Sequence, residues 1–203
     1  MGIYQHHLLP LLTDWAMGQS VLGDFRSRVV GGARGRVLEI GIGSGRNLPF
    51  YGAAAEEVVG VDPSAELLAM ARRAAASSPR PVDLVERTAE RLPFPEGSFD
   101  TVVVTWSLCS ISDPIAALRE ARRVLKPDGQ LRFAEHGLAP DPGVRWWQHR
   151  LTPLWMRCAG GCHLDRKMDD LIRTSGFQLS DLETGYLPGI KLLAFLYEGT
   201  AVR

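Results

Sequence analysis

The sequence lacks an excess of charge of either sign. Lys and Arg together number 23, Asp and Glu also number 23, and the formal net charge is zero. Proteins that bind nucleic acid neutralise phosphates with a basic face, and no such surplus exists here. We therefore expect a small-molecule substrate and no nucleic-acid partner.

Long apolar runs and paired cysteines are also missing. No stretch of 18 apolar residues occurs, and no charged-then-apolar leader opens the chain. Three cysteines in 203 residues do not make a disulfide framework. We expect no membrane span and a reducing, cytoplasmic environment, while nothing in the sequence sets the oligomeric state.

Short Val- and Leu-rich segments alternate with helical ones. The predicted strands are 36–41, 57–62, 82–87, 100–106 and 129–136, and the helices between them include 64–78 and 113–125. Segments 177–185 and 191–199 predict a closing hairpin. The pattern predicts an α/β fold: a doubly wound, Rossmann-like, seven-stranded, mostly parallel sheet with an antiparallel C-terminal hairpin.

Two segments fall outside this alternation. Residues 3–31 are helical in pattern, and residues 140–162 hold three of the five tryptophans and two of the three cysteines. Both are expected to cover the carboxyl ends of the strands, where open α/β sheets bind ligands. We predict one domain over 1–203, divided into a helical lid (1–33), a cofactor-binding core (34–136), a helical insertion (137–176) and the hairpin (177–203).

The segment "LEIGIGSGR" follows the first strand with glycines at alternate positions: Gly41, Gly43 and Gly45. Glycine allows positive φ and a close approach of the backbone to a ligand. A dinucleotide fingerprint, G-x-G-x-x-G, would need glycine where Arg46 stands. Glu39 would repel a pyrophosphate but can hold an ammonium group. The spacing therefore favours a phosphate-free cofactor over NAD.

An acidic residue, Asp62, ends the second strand. A carboxylate at this position accepts hydrogen bonds from both ribose hydroxyls in nucleotide-binding folds. This feature is common to the NAD and the phosphate-free interpretations.

Four motifs between residues 36 and 136 occur in one order: "LEIGIGSGRN", "VVGVDPS", "AERLPFPEGSFDTVVVTWSL" and "ALREARRVLKPDGQLRFAEH". Together they resemble the motifs of class I methyltransferases that use S-adenosyl-L-methionine (SAM) and release S-adenosyl-L-homocysteine. The resemblance implies roles at the methionine end, the ribose, the adenine and the sulfonium. The implied residues are Glu39, Gly41, Gly43, Gly45, Asn47, Asp62, Pro63, Ser64, Thr88, Ala89, Glu90, Thr105 and Trp106.

The flanking segments address the methyl acceptor. "LCS", "EH" and "GCHLDR" resemble the alkyl-thiol S-methyltransferases of the methyltransferase-like 7 group, although Asp165 stands where that group has Thr. This resemblance implies a small thiol or hydrosulfide as substrate. Alternatives are a quinone ring carbon, a lipid amine, an NAD-dependent oxidoreductase and a non-catalytic SAM-binding regulator.

His136 follows the fifth strand and is the candidate catalytic base, with a hydrogen bond that merely holds its loop as the alternative. The predicted substrate pocket contains Tyr4, Cys109, Trp147 and His163, with Trp146 and Trp155 as further members of an aromatic wall or of the core. His6 and His7 reach the site from the lid or face solvent.

Cys158, Cys162 and His163 suggest zinc ligands, but structural zinc takes four, and no fourth ligand completes this set. We therefore predict no metal.

Overall fold

The computed structural model describes residue 4 and residues 8–203. Its centre is a seven-stranded sheet. The strands are β1 (Gly35–Ile40), β2 (Ala55–Asp62), β3 (Val82–Glu86), β4 (Phe99–Thr105), β5 (Leu125–His136), β6 (Gln178–Tyr186) and β7 (Phe195–Val202). Their order is β3-β2-β1-β4-β5-β7-β6. Strands β1 to β5 pair in parallel, and β7 runs antiparallel to β5 and β6. The predicted fold class is confirmed.

Helices cover this sheet. They are α1 (Leu9–Met17), α2 (Gly23–Val29), α3 (Ala65–Ala75), α4 (Pro114–Val124), α5 (Pro142–Cys158), α6 (Met168–Thr174) and α7 (Lys191–Ala194). Among the described residues, none of these helices has the length and apolarity that a bilayer span requires.

The sheet is buried on both faces because successive side chains of a strand point in opposite directions. Leu38 and Ile40 of β1 pack in one core with Leu118 of α4. Val37, the residue before Leu38 on the strand, packs in the other core with Leu68 of α3. Continuous apolar runs, rather than strict alternation, are therefore required in these strands, as in other doubly wound sheets.

Two helices begin at side-chain caps beside the strand ends. The Ser64 hydroxyl accepts the Leu67 N–H at 3.2 Å, and Asp113 Oδ1 accepts the Ala116 N–H at 2.9 Å. Each cap satisfies an N–H that has no partner within its helix. These contacts fix where α3 and α4 begin, close to the predicted positions.

The strand order reverses direction between β1 and β4, which are neighbours in the sheet. From this point the chain winds outward to β2 and β3 on one side and to β5 on the other. The loops after β1 and β4 therefore diverge and leave a crevice at the carboxyl edge of the sheet, the usual ligand position in open α/β sheets.

Two predicted elements differ from the structure. The helical pattern over 3–31 breaks at Gly18, whose N–H closes α1, so the segment folds as α1, a 3₁₀ turn (Ser20–Leu22) and α2. The apolar segment predicted as a strand from residue 191 begins with the one-turn helix α7. The carbonyl of Leu192 there accepts a hydrogen bond from the buried Gln148 of α5, a tertiary contact that local sequence cannot indicate.

Candidate active site

A cavity of about 660 Å³ opens at the carboxyl ends of β1 to β5. Loops after these strands form its base, and α1 and the end of α5 lie over it. The structure places most of the predicted site residues on its wall: Tyr4, Glu39, Gly41, Gly43, Asn47, Asp62, Pro63, Ser64, Thr88, Ala89, Glu90, Thr105, Trp106, Cys109 and His136. These residues lie at or after five strand ends, β1 to β5, and Tyr4 comes from the N-terminal segment.

The loop after β1 needs two of its glycines for different reasons. Gly41 has φ +71°, and a Cβ on it would lie 2.0 Å from the hydroxyl oxygen of Ser107. Gly43 has φ +55° but open space around it, so its backbone conformation alone favours glycine. Main chain rather than side chain therefore faces the cavity here.

Gly45, predicted at the methionine end, packs against a neighbouring helix. Its φ is +81°, and a Cβ would lie 3.2 Å from both the Ala71 Cα and the Ala74 Cβ. Both neighbours belong to α3, so Gly45 allows this helix to pack closely against the loop.

Asp62 joins the glycine loop to the start of the next helix. One carboxylate oxygen accepts the Gly43 N–H at 3.0 Å, and the other accepts the Ser64 N–H at 2.8 Å. Burial raises the pKa of this carboxyl, although both backbone bonds oppose the change. Each oxygen keeps a lone pair for a further donor in the cavity.

Glu39 is the centre of a buried hydrogen-bond network. Its two oxygens accept from Asn47 Nδ2 and from the Tyr51 hydroxyl, both at 2.8 Å, and the residue is only 1% exposed. Burial raises the pKa of Glu39 to about 7 against these stabilising bonds. Asn47 also donates to Thr105 Oγ1 at 2.9 Å, which connects the ends of β1 and β4.

Arg26 was missed by the sequence analysis. Its Nε donates to Asn47 Oδ1 at 2.9 Å, and its guanidinium lies 5.0 Å from the centre of the Trp106 ring. Arg26 is buried on the cavity wall, and burial lowers its pKa. Nothing in the local pattern of α2 distinguishes it from Arg28 on the same helix, because only the packing of α2 on the sheet brings it to Asn47.

Trp106 is the residue whose backbone is unusual. It has φ +49°, rare for an aromatic side chain, and its N–H donates to the Ala134 carbonyl at 2.9 Å. Strained backbone of this kind concentrates at functional sites. It directs the indole beside the guanidinium of Arg26 at the end of β4.

The predicted adenine side of the cavity contains Pro63, Ser64, Thr88, Ala89 and Glu90. The hydroxyl of Ser64 is already engaged with the first turn of α3, where it donates to Glu66 and accepts the Leu67 N–H. Ala89 is buried and contributes an apolar side chain to this part of the wall.

The opposite end carries three soft or titratable side chains. His136 Nε2 lies 3.1 Å from Cys162 Sγ, and Cys109 completes a group whose ligand atoms all lie within 4.8 Å of one another. Burial lowers the pKa of His136, but the hydrogen bond and charge of Cys162 outweigh it and leave this pKa above its usual value. The hydrogen bond with Cys109, together with burial, raises the pKa of the Cys162 thiol.

The prediction that Trp147 lines the substrate pocket is wrong. Trp147 is 51% exposed and stacks edge-to-face on Trp146, 4.7 Å away, on the outer side of α5. Trp155, two turns further along the helix, lines the cavity instead. At 3.6 residues per turn, two side chains eight residues apart point about 80° away from each other. The rotation of α5 on the sheet therefore decides which of the two indoles points inward.

His163 also lies outside the cavity wall, contrary to prediction. Its imidazole is 3.8 Å from Asp165, while its backbone N–H donates to the Cys109 carbonyl at 2.8 Å. Cys158 is exposed, with Sγ bonded to carbonyls of its own helix, and so does not join Cys162 and His163 in one metal set. His6 and His7 lie outside the described residues. The hydroxyl of Tyr4 donates to the Cys158 carbonyl and connects the N-terminal segment to the end of α5.

Comparisons with known proteins address the same core. A model of the methyltransferase domain family matches residues 38–133. The chain is 37% identical over 99 residues to the uncharacterized methyltransferase YcgJ of Bacillus subtilis. This alignment covers 48% of this chain and 39% of that protein. The chain is also 38% identical over 98 residues to the phosphatidylethanolamine N-methyltransferase of Cereibacter sphaeroides (47% and 48%) and 36% identical over 95 residues to the demethylmenaquinone methyltransferase of Clavibacter sepedonicus (47% and 38%). The matched segment thus spans less than half the length of each of these relatives.

Residues 38–133 of the chain form a methyltransferase domain. A solved SAM-dependent methyltransferase from Thermotoga maritima has the same fold, with a TM-score of 0.65 at 22% identity over 97% of this chain and 98% of that one. The [4+2]-cyclase SpnF also has it, with a TM-score of 0.70 at 22% identity over 90% and 79%. The fold by itself therefore does not determine the reaction. The reaction has to be inferred from the residues that line the cavity.

Proposed function

We propose that this protein transfers a methyl group from SAM to a small apolar molecule that carries a thiol or hydrosulfide. The observation that carries the proposal is a single cavity with Glu39 and Asp62 at one end and Cys109, His136 and Cys162 at the other. The end with the two carboxylates suits a positively charged nucleoside, and the end with the thiols and the imidazole suits a sulfur nucleophile.

The residues fit SAM. Each Asp62 oxygen already holds one backbone N–H and offers a lone pair to a ribose hydroxyl. Glu39 supplies a buried negative charge for the ammonium group, and the guanidinium of Arg26 faces the same end of the cavity and suits the carboxylate. When bound, SAM supplies a methyl group on a positively charged sulfur.

Methyl transfer is an in-line displacement that needs alignment of the reacting atoms, about 3–3.5 Å apart, and exclusion of water. Leu12, Ile111 and Trp155 contribute apolar side chains to the cavity wall. These side chains suit a neutral alkyl thiol rather than a charged substrate. Removal of the thiol proton is assigned to the group formed by His136 and the two cysteines.

A second candidate function is methylation of a quinone ring carbon or a lipid amine. The demethylmenaquinone and phosphatidylethanolamine methyltransferases among the relatives favour it. Leu12 and Trp15, both exposed and both on the cavity wall, suit an elongated apolar substrate. This candidate does not account for two thiols and an imidazole at the acceptor end.

The same proposal places the enzyme in the cytoplasm without a nucleic-acid partner. Its three cysteines are free, as expected of a reducing compartment, and its positive and negative side chains balance.

The test is calorimetric titration with SAM, S-adenosylhomocysteine and NAD, followed by an acceptor panel of alkyl thiols, hydrosulfide, quinols and amines. Release of S-adenosylhomocysteine is measured for each acceptor. Turnover on thiols alone supports the proposal, and turnover on quinols or amines alone replaces it with the second candidate. SAM binding without turnover on any acceptor points to a regulator, and binding of NAD alone contradicts the methyltransferase activity.

A further inference from the structure

We infer that Cys109, His136 and Cys162 form a binding site for a thiophilic divalent cation such as Zn²⁺, with a fourth coordination position open to the cavity. The site differs from the set considered in the sequence, since Cys109 takes part and Cys158 and His163 do not. Among the described residues these three make up the whole group of possible ligands.

The side chain of Glu135 holds the turn that carries Cys109 by hydrogen bonds. Glu135 Oε1 accepts the N–H groups of Ser107 and Leu108 at 2.7 and 3.0 Å. The next residue along β5 is His136, so the same strand end positions the imidazole and the turn beside it. Two of the three ligands are therefore held by one hydrogen-bonded unit.

The segment that carries Cys162 is tied to the Cys109 turn by main-chain contacts. The His163 N–H donates to the Cys109 carbonyl at 2.8 Å. Arg166 Nη1 donates to the carbonyls of Leu108 and Ile111 on either side of Cys109. These bonds bring the two thiols together before any ion binds, which lowers the conformational cost of forming the site.

The distances suit tetrahedral coordination. Zn–S bonds of about 2.3 Å and Zn–N bonds of about 2.0–2.1 Å place ligand atoms up to about 3.8 Å apart. The three atoms lie within 4.8 Å, and His136 Nε2 is already 3.1 Å from Cys162 Sγ. Side-chain adjustments of about 1 Å at most are sufficient to close the site around an ion.

Two buried polar atoms near this group have no partner among the described residues: His136 Nδ1 and Glu135 Oε2. Unpartnered buried atoms are rare in folded proteins and require an explanation. A cation at Nε2 would compensate the buried carboxylate of the neighbouring Glu135 and would fix the imidazole as the tautomer with its proton on Nδ1.

The charges balance when the ion binds. Cys109 and Cys162 each lose a thiol proton to solvent, and the two thiolates then neutralise the 2+ charge while His136 coordinates as the neutral imidazole. Two cysteines, one histidine and an open position make up the ligand set of catalytic rather than structural zinc. All three residues line the cavity, so the open position faces the acceptor.

The last step of this inference rests on the proposed thiol substrate. A thiol that becomes the fourth ligand releases its proton to solvent and binds as thiolate. Its sulfur forms a bond to the methyl carbon while the bond from that carbon to the sulfonium breaks, and the electron pair stays on the sulfur of S-adenosylhomocysteine. The neutral thioether is a weaker ligand and dissociates. His136 then acts as a ligand, and the ion replaces a protein base.

The experiment compares the full chain with Cys109→Ser, Cys162→Ser and the matched control Cys158→Ser, whose cysteine is exposed and outside the group. Each protein is incubated with Zn²⁺ and a non-chelating reductant and dialysed, and zinc per chain is measured by mass spectrometry. We expect about one equivalent in wild type and Cys158→Ser and less than about one tenth in the other two. Co²⁺ loading should give a thiolate-to-cobalt absorption band with the same dependence on the variants.

Absence of zinc from the wild-type protein, or retention of zinc by Cys109→Ser and Cys162→Ser, would overturn the site. Melting temperature and SAM affinity of each variant show whether a loss of zinc reflects misfolding, and Cys162→His, which keeps a ligand, should restore part of the binding. SAM titration and the acceptor panel are read separately. Zinc binding without thiol turnover contradicts the proposed substrate but supports the site.

Discussion

Asp14 of α1 and Arg46 of the glycine loop form a bidentate ion pair, with nitrogen–oxygen distances of 2.7 and 2.6 Å. The same carboxylate accepts the Ser44 hydroxyl at 2.5 Å. Arg46 occupies the position where a dinucleotide fingerprint would have glycine. Its ion pair connects α1 to the glycine loop on the cavity wall.

Loss of this pair should affect ligand retention more than stability. Exposed ion pairs contribute at most about 1 kcal/mol, so Arg46→Gln should lower the free energy of unfolding by no more than that. SAM should dissociate about 3- to 10-fold faster, since α1 lies over the cavity. Stopped-flow release of SAM measures this rate.

The control for that prediction is Arg28→Gln. Arg28 pairs with Glu198 in the same bidentate geometry, at 2.9 and 2.8 Å, and does not line the cavity. Faster release in Arg28→Gln as well would show that general loosening, rather than the Asp14 contact, controls SAM release.

Asp62→Ala should weaken SAM binding by at least about 100-fold, because hydrogen bonds to a charged group contribute roughly 1.5–3 kcal/mol each and two are lost to the ribose. Isothermal titration measures the change. The control is Asp83→Ala, an exposed carboxylate on the neighbouring strand β3. Micromolar affinity retained by Asp62→Ala would contradict the ribose assignment.

Glu39 should make stability depend on pH. Burial raises its pKa from 4.5 to about 7, so between these values the folded protein binds a proton that the unfolded chain does not. Stability therefore decreases as pH rises from about 4.5 through 7 and is constant above it, with a contribution of up to about 3 kcal/mol. Glu39→Gln removes this part of the slope and should be more stable than wild type at pH 8.

The same variant should bind SAM less tightly, since an amide does not pair with an ammonium group. Wild-type affinity should increase with pH up to about 7, because the charged carboxylate is the binding form. Melting temperatures and SAM titrations at pH 5, 6, 7 and 8 test both effects, with exposed Glu56→Gln as control. An unchanged SAM affinity in Glu39→Gln would exclude its role at the ammonium.

Trp155 and Trp147 provide a matched pair on one helix. Trp155→Leu should raise the acceptor KM by about 10-fold through loss of apolar contact in the cavity, while Trp147→Leu should change it less than about twofold. Steady-state release of S-adenosylhomocysteine gives both constants. A larger effect from Trp147 would place the acceptor on the outer side of α5.

The part of the cavity that contains Glu39 and Asp62 is encoded by short continuous stretches of sequence. The glycine loop, Glu39, Asp62 and the strands that carry them lie within continuous motifs, and strand, turn and helix propensities act over a few residues. Their positions at the carboxyl edge follow from parallel pairing, so the fold class and most of the cavity wall could be predicted.

Only the tertiary structure decided the rest. Arg26 reaches Asn47 because α2 packs on the sheet, and Trp155 rather than Trp147 faces the cavity because of how α5 is rotated. Cys109, His136 and Cys162 meet because three loops converge at one edge of the sheet, although the chain separates them widely. Periodicity and propensity describe neighbours along the chain, whereas packing of whole helices and loops selects which distant side chains share a site.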